Sequence, residues 1–327
     1  IENNMFSGCS SLKQFDIPSS VTCLGERCFS NCTSLSKLII PSSVSTIEKN
    51  AFTGCSSLSE IEIPVHLTTL KEGVFSECSS LTQILIPSSI CSIENNVFAG
   101  CISLKNIMIP SSVTSIGNNV FDACSSLEQV TIPSSITSLN EGIFNGCSSI
   151  KEIEIPNSVT YIGNNAFIGC SSLKKMNIPS SVNYVGNNVF NGCSLLEEIE
   201  IDPMETKIEH DTFNNCSSLS ILHINSSKEK IDKFNHQGYS QIKKIIIPKS
   251  ISNIGDNSFS EFESLIEIEL PNTIKTIGNT SFFGCSSLTK IEIPTSVTTI
   301  GSFSFANCSS LERIVILSSV TSIGNNL

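Results

Sequence analysis

The sequence contains no tryptophan, only three tyrosines and four histidines, and charged residues make up only 15% of its 327 positions. Lysine and arginine number 19 against 30 aspartates and glutamates, which gives a net charge of −11. Nucleic-acid binding requires clustered positive charge, as does a polybasic membrane-surface role, so the composition argues against both. No apolar run approaches the roughly 20 residues of a membrane span, and we expect no span in this chain.

Motifs for catalysis and cofactor binding are also missing. The sequence has no Ser-His-Asp arrangement, no G-x-x-x-x-G-K-[ST] phosphate loop and no H-E-x-x-H zinc motif. His210, His223 and His236 follow one another at 13-residue intervals, but they occupy different positions of the repeat described next, as does His66. We therefore expect no enzyme, no cofactor and no metal site.

What the sequence does contain is a repeat with a constant period of 23 residues. Asp202, Asn225 and Leu317 fill the three repeats that lack the proline, so no insertion interrupts the pattern. An invariant period is typical of a solenoid, in which each repeat packs only against its neighbours. The repeated proline occurs at Pro18, Pro41, Pro64, Pro87, Pro110, Pro133, Pro156, Pro179, Pro248, Pro271 and Pro294.

Each repeat predicts one short strand and one short helical turn. Ile107 and Ile109 alternate as one face of a strand requires, and the proline that follows ends the strand. Val120, Phe121 and Cys124 have the spacing of one helical turn.

The corners of the coil carry glycine and asparagine. Gly117 and its equivalents suit a left-handed corner. Asn31, Asn215 and Asn307 stand where glycine is usual and also begin glycosylation sequons. We interpret these three asparagines as corner residues.

The pattern L-x-x-I-x-I-P-S-S-V-x-x-I-G-x-N-x-F-x-x-C-S-S resembles the BspA-type (Treponema-pallidum-type) leucine-rich repeat over the whole chain. The resemblance implies an α/β repeat solenoid: an arc with a parallel β-sheet on its concave face and short helical turns or irregular segments on its convex face. We expect residues 1–327 to form a single solenoid of about fourteen coils, degenerate at about 202–247 and without recognisable caps. Because the chain begins in mid-pattern, we expect it to be part of a longer protein.

Twelve of the 15 cysteines occupy the same position of the 23-residue repeat, which we call a column. Stacked coils lie about 4.8 Å apart with parallel side chains, whereas a disulfide needs converging Cβ atoms about 3.8 Å apart. We expect these cysteines to be free, buried thiols. Cys23 and Cys91 fall in outward columns and are predicted to be exposed, which fits poorly with an oxidising exterior.

Charge concentrates on the outward strand positions, so we predict a polar binding surface on the concave face. The resemblance implies a non-enzymatic recognition protein, on the cell surface or secreted, that contacts a host or self protein. The alternative is a structural spacer or filament-forming repeat protein, and the free cysteines leave an intracellular location open. The predicted partner-binding residues are Lys151, Glu152, Glu154, Lys174, Lys175, Glu197, Glu198, Glu200, His223, Lys244, Glu267 and Glu269.

Two repeats within 202–247 keep the period but lose its residues. Glu205 and Lys228 replace an inward valine, Asn235 and His236 replace the Val-Phe pair, and Tyr239 replaces the cysteine. Since a buried polar group without a partner costs roughly 1–3 kcal/mol, these side chains turn outward or the coils loosen. We expect these coils to be the least stable part of the chain, through decay of a redundant coil or as a patch formed by His223, Lys228, Lys230 and Tyr239.

Overall fold

The computed structural model describes residues 1–209, 211–233, 237–316 and 319–326, and in it the chain forms a parallel-strand β-solenoid of stacked coils. The strands are short because each coil turns at its proline and again at its asparagine corner. Their bounds are β1 (Gln14–Asp16), β2 (Cys23–Leu24), β3 (Lys37–Ile39), β4 (Thr46–Ile47), β5 (Thr69–Leu70), β6 (Ser92–Ile93), β7 (Asn106–Met108), β8 (Ser115–Ile116), β9 (Gln129–Thr131), β10 (Ser138–Leu139), β11 (Tyr161–Ile162), β12 (Lys175–Asn177), β13 (Tyr184–Val185), β14 (Glu198–Ile201), β15 (Lys207–Ile208), β16 (Ile221–Ile224), β17 (Lys230–Ile231), β18 (Lys244–Ile246), β19 (Asn253–Ile254), β20 (Glu267–Glu269), β21 (Thr276–Ile277), β22 (Lys290–Glu292), β23 (Thr299–Ile300), β24 (Arg313–Val315) and β25 (Ser322–Ile323).

The chain divides into two compact units. Unit 1 contains Ile1–Lys174, Val185–Leu195 and Thr212–Cys216, and unit 2 contains Lys175–Tyr184, Leu196–Asp211 and Ser217–Leu327. Unit 1 includes the sheets β1–β3, β2–β4, β5–β6–β8 and β7–β9. Unit 2 includes two five-stranded sheets, β12–β14–β16–β18–β20 and β17–β19–β21–β23–β25. The expected single arc of about fourteen coils stays a prediction.

Both units have a core of aligned apolar columns. In unit 1 the phenylalanine rings from Phe29 to Phe213 stack with centroids 5.4–5.9 Å apart. In unit 2 Phe282 stacks on Phe259 at 5.4 Å and on Phe305 at 5.2 Å. The constant 23-residue period places each ring over its equivalent, so one packing solution serves every regular coil.

The α/β class and the helical turns are not confirmed: the segment opposite the strands consists of non-helical turns, in line with the irregular segments given as the alternative. The backbone N–H of Phe121 donates to Ile143 of the next coil, whereas that of Cys124 donates to Phe121 of its own coil. The amides thus alternate between neighbouring coils and local turns, and positive φ angles at Asn119 and Ala123 interrupt any helix. Among the described residues the one helical element is a 3₁₀ turn at Gln237–Tyr239.

The structure also corrects the role of Gly117. Its φ is not positive; a Cβ there would lie 2.5 Å from Asn95 Oδ1 and 2.6 Å from Asn95 N, so glycine is needed for close coil-to-coil approach. The left-handed corners mostly carry asparagine or glycine: Asn31, Asn215 and Asn307 lie there as predicted, with φ angles of 57°, 58° and 61°, and Gly54 takes the equivalent corner with a φ of 74°.

The second serine of Pro-Ser-Ser binds the preceding coil. Ser112 Oγ donates to the Ile90 carbonyl at 2.7 Å, and Ser158 Oγ to the Ile136 carbonyl at 2.6 Å. His66 occupies the same position, and its Nε2 lies 3.0 Å from the Val44 carbonyl oxygen. Since a carbonyl only accepts, Nε2 carries the proton. His66 therefore replaces a structural serine.

The prediction of free, buried thiols is confirmed for the cysteine column. All fifteen cysteines lie among the described residues and are free, and those from Cys32 to Cys285 in the column are buried. Each of these thiols donates to a phenylalanine carbonyl 26 residues earlier, as Cys124 Sγ does to Phe98 at 3.1 Å. Cys23 and Cys91 are exposed as predicted, and Cys9 of the first coil is exposed as well.

In the irregular coils some of the replaced residues face solvent and others are buried. Glu205 and Lys228 pair with each other and remain about half exposed, 51% and 45%, instead of entering the core. Asp202 is buried, and its Oδ1 accepts the Met204 N–H at 3.0 Å. Tyr239 fills the cysteine position as a fully buried ring. The replacements at Asn235 and His236 lie outside the described residues.

Candidate functional site

The outward side chains of β12, β14, β16, β18 and β20 form a polar surface in unit 2, which we call the charged face. Parallel pairing without a register shift sets equivalent residues side by side in two rows. One row is Lys175, Glu198, Ile221, Lys244 and Glu267, and the other is Asn177, Glu200, His223, Ile246 and Glu269.

The row between these two fixes the face in place. Met176, Ile199, Leu222, Ile245 and Ile268 alternate with the charged residues along their strands and are all buried. Since side chains of a strand alternate between its two faces, burial of this row forces both charged rows outward. A one-residue slip would expose the apolar row, so the register of the charges is strongly specified.

One end of the charged face contains a three-residue ionic cluster. Lys175 Nζ donates to Glu198 Oε2 at 2.9 Å, and His223 Nε2 lies 3.3 Å from the same oxygen. The hydrogen bond from Lys175 is the main reason that the pKa of Glu198 is lowered. Glu198 is therefore held as a carboxylate between two donors.

The other end is organised around Lys244. Its Nζ lies 3.9 Å from Glu267 Oε2 and also pairs with Glu269. Lys290, from β22, approaches the other oxygen of Glu267 at 3.8 Å. Hydrogen bonding to Glu269 is the main cause of the raised pKa of Lys244. These residues are solvent-accessible, so their pairing fixes a charge pattern more than it stabilises the fold.

Beside the first cluster lies a less compensated carboxylate, that of Glu200 on β14. Glu200 forms no ion pair with any residue that the structure describes, and its neighbours in the row are Asn177 and His223. Ile221 of β16 and Ile246 of β18, at the centre of the face, are half-buried. The face thus combines an available carboxylate with apolar contact area at its centre.

The structure brings together seven of the twelve predicted partner-binding residues on this face. Glu197 directly precedes β14, is exposed, and accepts backbone hydrogen bonds from Ser220 and Ile221 through its carbonyl. Sequence reasoning missed Lys290, although its spacing of 46 residues from Lys244 places it in the same column. The remaining four residues, Lys151, Glu152, Glu154 and Lys174, are exposed residues of unit 1.

Other chemistry is not apparent in the described ranges. No cluster of three or more His, Cys, Asp and Glu side chains there could hold a metal ion. No helix there is long and apolar enough to cross a membrane. His210 and His236, two of the four histidines weighed as ligands, lie outside those ranges.

The whole length of the chain matches a family model described as "BspA type Leucine rich repeat region". The matches cover residues 1–128, 114–238 and 229–327. The chain belongs to this family. Leucine-rich repeat proteins are generally non-enzymatic and typically bind other proteins. Comparison with curated proteins gave no match.

Solved leucine-rich repeat structures resemble the chain over nearly its whole length. A leucine-rich repeat protein from Bacteroides ovatus has 30% identity and a TM-score of 0.59, with 96% of this chain and 92% of that chain covered. A leucine rich cell surface protein from Faecalibacterium prausnitzii has 26% identity and a TM-score of 0.51, with 96% and 87% covered. The family resemblance and the leucine-rich repeat fold are thereby confirmed.

Proposed function

We propose that this protein is a non-enzymatic recognition module that acts in surface adhesion or host contact and binds a protein partner through the charged face. The observation that carries the proposal is the ordered charge pattern on β12–β20, in which an ion-pair cluster lies at each end and the carboxylate of Glu200 is available beside the first. A fixed pattern of exposed charges favours a complementary protein surface and disfavours others. Half-buried Ile221 and Ile246 add apolar contact near the centre.

The surface location rests on similarity. The Faecalibacterium prausnitzii relative is described as a cell surface protein. Burial makes the column thiols compatible with this location, because thiols without access to solvent are protected from oxidants, whereas the exposed Cys9, Cys23 and Cys91 have no such protection.

Inverting the ion pairs tests the proposal without disturbing the fold. The variants K175E/E198K and K244E/E269K exchange the partners of each pair, so they keep the net charge and the pairing but reverse the local pattern. Purified wild-type and variant proteins, coupled to beads, are incubated with a surface extract of the source cells and of candidate host cells. We expect a partner captured by the wild type to be lost with the combined variant and to elute at raised salt, since exposed charge interactions are screened.

The matched control is E48K/K71E, which exchanges an equally close ion pair of unit 1 outside the charged face. If the combined charged-face variant and the E48K/K71E control both retain the partner, the binding site lies elsewhere. The exposed residues Lys151, Glu152, Glu154 and Lys174 of unit 1, and Glu197 of unit 2, are proposed as further contacts. Reversing the unit 1 set and Glu197 in separate variants tests each contribution.

The uniform packing of unit 1 favours a second function, that of a structural spacer or filament component. Phenylalanine spacings that vary by only 0.5 Å over many coils suit a rod of defined length. Analytical ultracentrifugation over a range of concentrations tests this alternative. Filaments that persist in the exchanged variants support the spacer and argue against recognition through the charged face.

A further inference from the structure

A second polar surface of unit 2 lies apart from the charged face, along the Pro-Ser-Ser corners. It is an open groove of about 510 Å³. Backbone hydrogen bonds from Ser252 to Glu229, from Lys275 to Ser252 and from Thr298 to Lys275 stack one of its walls coil upon coil. The groove is lined by Glu229, Lys249, Ser250, Ser252, Asn272, Thr273, Lys275, Ser296 and Thr298.

The charges of this groove depart from the repeat. The column of Lys249 otherwise carries only uncharged residues, chiefly serine, from Ser19 to Ser318. The column of Lys275 carries threonine, serine, asparagine or cysteine in every other coil except that of Glu229. All three charged residues of these two columns therefore line one groove, although the columns extend along the entire chain.

The serine and threonine hydroxyl groups of the groove already donate hydrogen bonds to backbone carbonyls. Ser250 Oγ donates to the Ser226 carbonyl at 2.7 Å, and Thr273 Oγ1 and Ser296 Oγ each donate to a carbonyl at 2.6 Å. Ser252 and Thr298 donate in the same way at 3.3 and 3.2 Å. Since a hydroxyl has one hydrogen and two lone pairs, these oxygens face a ligand as acceptors, although Ser252 Oγ already accepts one hydrogen bond from Asn253 Nδ2 at 2.8 Å. The groove therefore selects a ligand rich in donors.

The two lysines add a requirement for negative charge. Neither Lys249 nor Lys275 forms an ion pair with a described residue, and both are exposed. Glu229 is likewise without an ion-pair partner in the described ranges. The three side chains give the groove a local charge of +1 in a protein whose net charge is −11.

We propose that this groove binds an acidic saccharide, that is, a sugar chain bearing carboxylates. Sugar hydroxyls donate to the serine and threonine oxygens and to Glu229, while carboxylates accept from Lys249 and Lys275. An inorganic anion satisfies only the lysines, and a neutral glycan satisfies only the acceptors. Charge-assisted hydrogen bonds are the stronger of the two sets, so loss of the lysines should weaken binding most.

The test compares hexagalacturonate with maltohexaose, a neutral hexasaccharide, and with inorganic phosphate, by isothermal titration calorimetry on the full chain. The variant K249S/K275T installs residues that other coils carry at these positions, so it leaves the fold intact. The control K13S/K105T removes the same charge from the strand surface of unit 1 and likewise installs residues of neighbouring coils.

We expect hexagalacturonate to bind more tightly than maltohexaose or phosphate. K249S/K275T should weaken hexagalacturonate binding by about tenfold or more, as loss of charge-assisted contacts predicts, while K13S/K105T leaves it unchanged. Equal weakening by the control would reduce the effect to net charge and overturn the site. Binding of phosphate as tight as that of hexagalacturonate would overturn the saccharide assignment. The exchanged variants K175E/E198K and K244E/E269K should retain saccharide binding, so a failure here is separable from a failure of the charged face.

Discussion

The regular coils of unit 1 and the irregular coils of unit 2 keep the same 23-residue period but satisfy their polar groups differently. In unit 1 a buried thiol donates to a phenylalanine carbonyl in coil after coil. In the coil of Tyr239 a fully buried aromatic ring takes the thiol's position, and Glu205 and Lys228 pair in solvent where other coils bury valine. The period therefore preserves coil length and register even where the internal contacts are exchanged.

The comparison of the two units also distinguishes residues that maintain the packing from residues that are available for binding. Unit 1 repeats a single packing arrangement, so most of its variation lies on the surface. In unit 2 two of the exceptions to the repeat, Lys249 and Lys275, line the groove along the Pro-Ser-Ser corners. Departures from a repeat are informative because the constant residues already account for packing.

The largest expected effect is that alkaline pH changes which region unfolds first. At neutral pH we expect the irregular coils to be the less stable region, and at alkaline pH we expect unit 1 to be. Burial raises the pKa of Cys55, Cys101 and Cys170 to about 12, against 9.0 for an unperturbed thiol. The folded state holds these thiol protons more tightly than the unfolded state does. The contribution of the thiols to the free energy of unfolding is therefore fully present below pH 9 and is lost as the pH rises towards 12. Thirteen of the fifteen cysteines belong to unit 1, so we expect unit 1 to lose stability first.

Limited proteolysis with mass spectrometry measures this reversal. At pH 7 the first cuts should fall in 202–233, whereas at pH 10.5 they should fall in 24–173. The variant C101A/C124A/C147A removes three titrating groups. Its loss of stability from pH 7 to pH 10.5 should therefore be smaller than the loss measured for the wild type over the same range. First cuts in 202–233 at both pH values would show that thiol ionisation does not govern alkaline unfolding.

A smaller effect is expected from changing one member of the thiol column. Cys124 is fully buried, and its Sγ donates to the Phe98 carbonyl at 3.1 Å. We expect C124A to lower the free energy of unfolding by about 1–3 kcal/mol, through a small cavity and a lost donor. C124S should cost less because its hydroxyl donates to the same carbonyl. Urea denaturation measures both, with C91S at an exposed position as the control; equal losses for C124A and C124S would mean that the hydrogen bond contributes nothing.

Much of the fold was predictable because the period alone dictates register. A spacing of 23 residues pairs Lys175 with Glu198 and Lys244 with Glu267, and the structure has both pairs. Column chemistry likewise predicted the buried thiols and the corner asparagines. The rows of the charged face follow from these same two rules.

The helical turns and the irregular coils could not be predicted from periodicity. The i, i+1, i+4 spacing of Val120, Phe121 and Cys124 fits a helix and also fits a chain whose amides alternate between two coils, since both bury the same side chains. Similarly, column position places Glu205 inward, but the backbone there changes: buried Thr206 instead donates to the Val182 carbonyl at 2.7 Å. The non-helical turns and the outward position of Glu205 both depend on local backbone geometry, which cannot be inferred from column position.

The smallest expected effect comes from restoring the repeat at Glu205 and Lys228. Both side chains are about half exposed and pair only with each other among the described residues, and exposed ion pairs contribute about 0–1 kcal/mol. E205V/K228V should therefore change the free energy of unfolding by less than about 1 kcal/mol. The matched control is V113E in a regular coil, where Val113 is fully buried; there an unpaired charge enters the core and should cost several times more. Stabilisation by about 2 kcal/mol or more in E205V/K228V would show that the coil still has an apolar site for valine, as expected of a decayed repeat. An unchanged stability combined with weaker partner binding would instead assign the outward pair to recognition.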